Sequence, residues 1–245
     1  MPRQARQYST GYYYHIMLRG INRQNLFEDD NDRIRFIDTL FRFAEQAEGF
    51  KIAAWCLMSN HVHLLIGADR LPGQLIKKVG CSYVPYFNKK YGRVGHLFQD
   101  RYRSEAIMDE RYLLTAARYI HMNPEKAGIC QMEDYRWSSY RDYLSGDGKT
   151  DTALILDLLA GRDGFVEFMR QPDNTEFLED TYSPSEKEAV SAAKDVLPED
   201  FSVLLSCDRQ MRNDYVRKLS ARGLTPIQIS RITGLAKSTV YNILK

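Results

Sequence analysis

The sequence contains no CxxC pair. Its four cysteines, Cys56, Cys81, Cys130 and Cys207, lie far apart, which argues against a disulfide framework and for free buried thiols in a reducing compartment. No run approaches the roughly 20 apolar residues of a membrane span, and the opening stretch MPRQARQYSTGYYYH lacks the apolar core of a secretion signal, so a cytoplasmic protein with no membrane partner is expected. Internal repeats and low-complexity tracts are absent as well. HExxH, the zinc-protease spacing, does not occur. Histidine is scarce, with five in 245 residues, so any clustering of them stands out.

What is present is an ordinary globular composition, 44% hydrophobic and 27% charged, long enough to bury a sizeable core. The net charge of +2 conceals a segregation. Residues 1–146 carry 21 basic and 16 acidic side chains, residues 147–208 carry 5 and 15, and residues 209–245 carry 8 and 1. Two basic modules joined by an acidic connector fit a protein that faces nucleic acid, although a solubilising surface gives the same signal for any single run.

The order of patterns in residues 1–146 is β-α-β-β-α-β, followed by a further helix. Tyr12–Gly20 is rich in aromatic and branched residues and reads as a strand. Ile34, Ile37, Phe41 and Ala44 recur at helical spacing. FKIAAWCLM and HVHLLIG flank the turn Ser59-Asn60 as a hairpin, a second helix runs from about Leu71 to Tyr91, and HLFQDRYRSEAIM reads as a fourth strand. Asp109 opens a helix that Pro124 stops. This predicts an α+β, ferredoxin-like antiparallel sheet with helices on one face. Gly146-Asp147-Gly148 marks the end of the domain, residues 147–208 form an acidic helical connector, and residues 209–245 read as a helix-turn-helix. In that last segment Thr225-Pro226 opens one helix and Ser238 caps the next, whose Lys237, Ser238, Thr239 and Tyr241 would face duplex DNA. A tri-helical core with no DNA role is the alternative.

The stretch MSNHVHLLIG holds two of the five histidines. On a strand, His61 and His63 share one face, roughly 7 Å apart at the backbone, with Val62, Leu64 and Ile66 on the other. Such a pair suits one metal ion, and equally suits structural histidines. In TAARYIHMNPEKAG, Tyr119 and Asn123 stand at i and i+4 on one helical face. An amide oxygen could complete a metal site and a phenol could act as a nucleophile beside it. From spacing alone, an ordinary tyrosine and a helix-terminal asparagine fit as well. His15 reads better as a core histidine than as a site residue, and His121 faces away from Tyr119. Arg101 and Arg103 alternate onto one strand face, for phosphate contact or an ion pair. Lys77, Lys78, Lys89, Lys90 and Arg93 suit a DNA backbone or a solvated face, and Trp137, Tyr140 and Tyr143 suit a core stripe better than base stacking.

Five blocks occur in order: YHIMLRGINRQNLF, WCLMSNHVHLLI, HLFQDRYRS, YLLTAARYIHMNPEKAGI and YRWSSYRDY. Together they resemble the HUH single-tyrosine transposases, insertion-sequence-200-like, and especially the REP-associated tyrosine transposases, over about Tyr12 to Tyr143. The resemblance implies a domain that nicks and rejoins single-stranded DNA, often at hairpins, through a 5′-phosphotyrosine. His61, His63 and Asn123 match the metal ligands, for Mg²⁺ or Mn²⁺ with zinc as a chemical alternative, and Tyr119 matches the nucleophile. It leaves both a monomer and a helix-exchanging dimer open. The segment beyond residue 146 departs from the compact family pattern, which puts a REP-like hairpin substrate in question. Two other readings stand beside the enzyme: a DNA-binding regulator with a silent site, and a metallohydrolase on another fold.

Overall fold

The structure is a computed structural model that describes residues 9, 12–99, 101–171, 190, 193–194, 196–197, 207–222, 224 and 226–244. The chain divides into two compact units, Met1–Phe177 and Leu178–Lys245.

In the first unit four strands, β1 (Tyr13–Arg19), β2 (Phe50–Leu57), β3 (His61–Ala68) and β4 (Arg103–Ile107), form an antiparallel sheet in the order β2-β3-β1-β4. The alternation of each strand sorts its side chains between two cores. Ile16, Leu18, Val62, Leu64 and Ile66 pack under α1 (Asp30–Gln46) and α2 (Gly73–Lys90). The opposite face is not bare, as the expectation of helices on one side would have it. Leu65 and Ile107 on that face pack with α3 (Glu110–His121), α5 (Tyr140–Ser145), α6 (Ala153–Leu158) and α7 (Arg162–Arg170).

The turn α4 (Asn123–Lys126) follows α3 directly. Pro124 therefore does not simply stop a helix. α3 ends at His121, Met122 caps both elements, and the proline enters the first turn of the next, where its missing N–H costs nothing.

Residues 147–171, expected within the acidic connector, belong to the first unit. Ser139 N donates to Trp55 O (2.9 Å), Leu57 N to Trp137 O (2.8 Å) and Asp151 N to Ile52 O (2.9 Å), so the 137–151 segment covers the outer edge of β2. Covering that edge satisfies backbone groups that would otherwise template aggregation. Tyr140 and Tyr143 are buried, and Tyr143 stacks on Phe165 at 4.4 Å, whereas Trp137 packs against the other core.

α1 starts with a reciprocal cap between Asp29 and Asp32. The buried Asp32 carboxylate also accepts from Tyr86 Oη (3.1 Å), Tyr91 Oη (2.7 Å) and Lys90 Nζ (2.8 Å), tying α1 to α2. Burial alone would raise its pKa, but Lys90, Tyr91 and the backbone N–H groups of Glu28 and Asp29 hold it below the ordinary value. Lys90 is thus a structural cation, and Arg93 donates to the Gln24 side chain. Asp32→Ala should cost about 3 kcal/mol in a urea melt, because it strands several buried donors at once. A loss below about 1 kcal/mol would show that water replaces the carboxylate.

The second unit contains α8 (Arg209–Ala221), α9 (Pro226–Thr233) and α10 (Lys237–Ile243). Val216, Leu219, Ile229, Leu235 and Val240 form their shared core. Asp208 caps α8. Thr225 lies outside the described residues. Ala236, not Ser238, occupies the N-cap of α10, which leaves Ser238 in its first turn. No helix among the described residues is long and apolar enough to cross a membrane.

Candidate active site

The antiparallel register builds the site on the sheet face that carries α3. His63 pairs with Met17 and His61 with Arg19 on β1, while Met17 pairs with Arg103 and His15 with Glu105 on β4. Directly paired residues share a face, so His15, Arg19, His61, His63, Arg103 and Glu105 all belong to the α3 side. The turn before β3 is held by Gly20 N, which donates to Asn60 O (2.9 Å). A Cβ at Gly20 would stand 2.1 Å from Gln24 O, so only glycine allows that approach.

His15 Nε2 and His63 Nδ1 are 3.0 Å apart. His61 Nδ1 donates to Asn60 Oδ1 at 2.7 Å. An amide oxygen only accepts, so the lone pair of His61 is on Nε2. Each member of the histidine pair thus uses Nδ1 in an orienting contact, the arrangement seen where Nε2 is the ligand atom. Burial lowers the His15 pKa to about 4. Burial, followed by the charges of His61, His15 and Lys126, depresses His63 well below the ordinary histidine value. Both rings are neutral at neutral pH, which keeps their lone pairs available.

The last turn of α3 delivers Tyr119. Asp109 caps the helix by accepting from Tyr112 N (2.7 Å), and Ala116 and Ala117, both fully buried, let the helix approach the sheet closely. The Tyr119 ring stands edge-on to His63 (5.6 Å between centroids) and His15 (5.7 Å), and His61 lies 5.1 Å from His63. Lys126 Nζ sits 4.4 Å from the Tyr119 centroid, over the ring. Asn123 Nδ2 donates to Tyr119 O (2.8 Å) and Ile120 O (3.4 Å), which assigns its nitrogen to the end of α3 and leaves Oδ1 as the ligand-type atom.

His121 turns away as expected: Nε2 contacts Ser139 Oγ (2.8 Å) among Tyr140, Tyr143 and Phe165. Arg101 and Arg103 do not share a strand face, because β4 begins only at Arg103 and Arg101 precedes it. Lys237 and Ser238 are exposed at the start of α10, with Thr239 and Tyr241 half-buried.

Lys126 is a residue beside Tyr119 that the sequence did not single out, and His15, read there as a core histidine, is buried yet lies 3.0 Å from His63. His15 has the same strand parity as Met17, but its adjacency to His63 requires that β1 and β3 be neighbours, which no local pattern states. Among the described residues no group of three His, Cys, Asp or Glu side chains is placed to hold a metal. Two imidazoles and an amide oxygen are a donor set that nonetheless fits one divalent ion.

The model for the family described as IS200-like transposases matches residues 8–123. A REP-associated tyrosine transposase bound to a REP hairpin aligns with a TM-score of 0.54 and 17% identity, over 73% of this chain and 96% of that one. At that identity the likeness is one of fold. A Deinococcus radiodurans R1 structure assigned as a transposase aligns at 21% identity over 48% of this chain and 95% of its own, with a TM-score of 0.34. No curated protein matches significantly. The matched span, residues 8–123, bears the histidine pair and the helical tyrosine, and it is over this span that the chain is similar to the IS200-like transposases.

Proposed function

We propose that the first unit nicks and rejoins single-stranded DNA through a covalent Tyr119 intermediate and needs a divalent cation to do so. The observation that carries this reading is the packing of the Tyr119 ring against His63, which lies beside His61 and 3.0 Å from His15. His61 Nε2, His63 Nε2 and Asn123 Oδ1 would hold Mg²⁺ or Mn²⁺. When bound, such an ion supplies Lewis-acid polarisation of the scissile phosphate.

Tyr119 Oη attacks the phosphorus, the P–O3′ bond breaks, and the DNA 5′ end remains as a phosphotyrosine. The phenol proton passes to solvent and the departing O3′ takes one up, so no net proton is consumed. Rejoining reverses these bonds with a 3′-hydroxyl and requires no nucleotide. An ordinary tyrosine, with a pKa near 10, is a poor nucleophile at neutral pH. The Lys126 ammonium over its ring places a positive charge beside the reacting phenol. His15 holds the His63 ring in place.

The substrate class we favour is single-stranded DNA beside a hairpin, as in the REP hairpin held by the structural relative. The C-terminal three-helix unit reads as a helix-turn-helix that would bring Lys237, Ser238, Thr239 and Tyr241 to duplex DNA.

End-labelled single strands drawn from the DNA around its own gene test the proposal on a denaturing gel. A protein-linked product should appear with Mg²⁺ or Mn²⁺ and vanish with chelator. His63→Ala should weaken cation binding more than about a hundredfold, beyond the usual effect of losing an outer-shell partner. Tight binding with no adduct under any metal would sink the enzyme and leave a DNA-binding regulator.

A further inference from the structure

A large concavity in the first unit lies away from the histidines. It is a groove of about 970 Å³ between α2 and the segment that leads into β4. Leu18 is among its lining residues and belongs to the core under α1 and α2, so the sheet separates this groove from Tyr119. Ile76, Gly80 and Val84 line the helical wall at intervals of one turn, with Lys77 next to Ile76. Phe98, Arg101 and Tyr102 line the other. The second wall is anchored to the sheet, since Ile21 N donates to Leu97 O (2.9 Å), Gln99 N donates to Arg19 O (2.9 Å), and Phe98 bridges Gly20.

Among the described residues, every charged side chain lining the groove is a cation: Arg70, Lys77 and Arg101. The Arg70 guanidinium donates to the carbonyls of Ala47 (2.5 Å) and Glu48 (2.7 Å). Lys77 and Arg101 are both exposed at the rim. Apolar and aromatic walls under a rim that carries Lys77 and Arg101 match a ligand with flat apolar faces on an anionic backbone. Duplex DNA offers the charge but keeps its bases stacked inside. An acidic peptide offers the charge without the flat faces.

The path from groove to catalytic face is short. Arg101 and Tyr102 line the groove, and Arg103 begins β4 in the row that contains Met17 and His63. β4 is an edge strand, so no further strand blocks the way around it. Three consecutive residues thus lead from one side of the sheet to the other, with exposed arginines at both ends.

We infer that this groove docks unpaired DNA flanking the cleavage position, with bases against the apolar walls and phosphates on Lys77 and Arg101. The inference rests on the nickase reading for its substrate and adds a second site, remote from the chemistry, that feeds the strand past Arg103 toward Tyr119. The two arginines therefore serve different ends of the same track.

The test uses the full chain and fluorescence anisotropy of a short fluorescein-labelled oligothymidine, with excess unlabelled duplex present to occupy the C-terminal helices. Gly80→Leu fills the groove with little strain, because an added Cβ meets nothing nearer than Phe98 at 3.9 Å. It should weaken oligothymidine binding about tenfold, the scale of one lost stacking contact. Lys77→Glu and Arg101→Glu should weaken it similarly and flatten its salt dependence. A labelled abasic strand should bind weakly to the wild type and lose nothing further in Gly80→Leu. Equal oligothymidine affinity for wild type and Gly80→Leu, with both melting at the same temperature, would overturn the inference, as would abasic DNA binding as tightly as oligothymidine. Groove-dependent binding without any adduct on cleavable DNA would strike the nickase reading alone.

Discussion

Tyr119→Phe should abolish the protein–DNA adduct, with metal-dependent cleavage at least about 10⁴-fold lower, the scale on which an essential nucleophile is lost. The substitution removes one oxygen and keeps the ring that packs on His15 and His63 and lies under Lys126. Folding and single-strand binding should therefore survive, which separates lost chemistry from lost structure. The measurement is a denaturing gel beside a urea melt and an anisotropy titration of the same variant. An adduct that persists at a similar rate would place the nucleophile on another side chain, and mass spectrometry of the linked peptide would name it.

Acid should unfold the first unit well above the carboxylate range. His15 and His121 are fully buried, and burial lowers their pKa values to about 4 and about 3. In the unfolded chain each returns to about 6.5. Between the folded and unfolded values the unfolded state binds more protons, so stability falls as pH falls. The slope is about 1.4 kcal/mol per pH unit for each histidine, or about 4 kcal/mol for the pair between pH 7.5 and pH 5. His63 is depressed too and adds loss in the same direction. That is a large part of the stability of a typical domain.

Both tryptophans, Trp55 and Trp137, lie in the first unit, so their fluorescence in urea, with chelator present, follows this unit alone. His121→Leu should remove about half of the slope from the His15–His121 pair. The replacement loses little hydrogen bonding, since His121 Nδ1 is buried without a partner and Ser139 Oγ keeps Trp55 N at 2.9 Å. Stability that is flat from pH 7.5 to 5 would contradict the burial of these rings as neutral species.

Much of the fold was legible because its signals are local. The hairpin around Ser59-Asn60, the helix opened by Asp109 and the alternation in HVHLLIG each depend on residues a few places apart, and each is present. Elements set by distant partners were not legible. The 96–108 segment reads as one strand, yet only Arg103–Ile107 forms β4, because the 97–99 backbone bonds the end of β1 and the stretch after it. Lys90 reads as a surface cation, whereas Asp29 and Asp32, some 60 positions earlier in the chain, hold it. Asn123 has the expected helical phase with Tyr119, but its amide nitrogen closes the end of α3, a use that depends on where the helix stops.

By itself the sequence determined that His61 and His63 share a strand face and that Tyr119 rides a helix shortly after the fourth strand, since strand and helix periods are properties of neighbouring residues. Only the tertiary structure decided that this helix lies on the histidine face, that His15 reaches His63 across 48 positions of chain, and that Arg101 and Arg103 part to opposite sides of the sheet edge. Those outcomes follow from which strands become neighbours and in what register. That choice is made by the burial of two opposed cores at once, and no short stretch of sequence contains both.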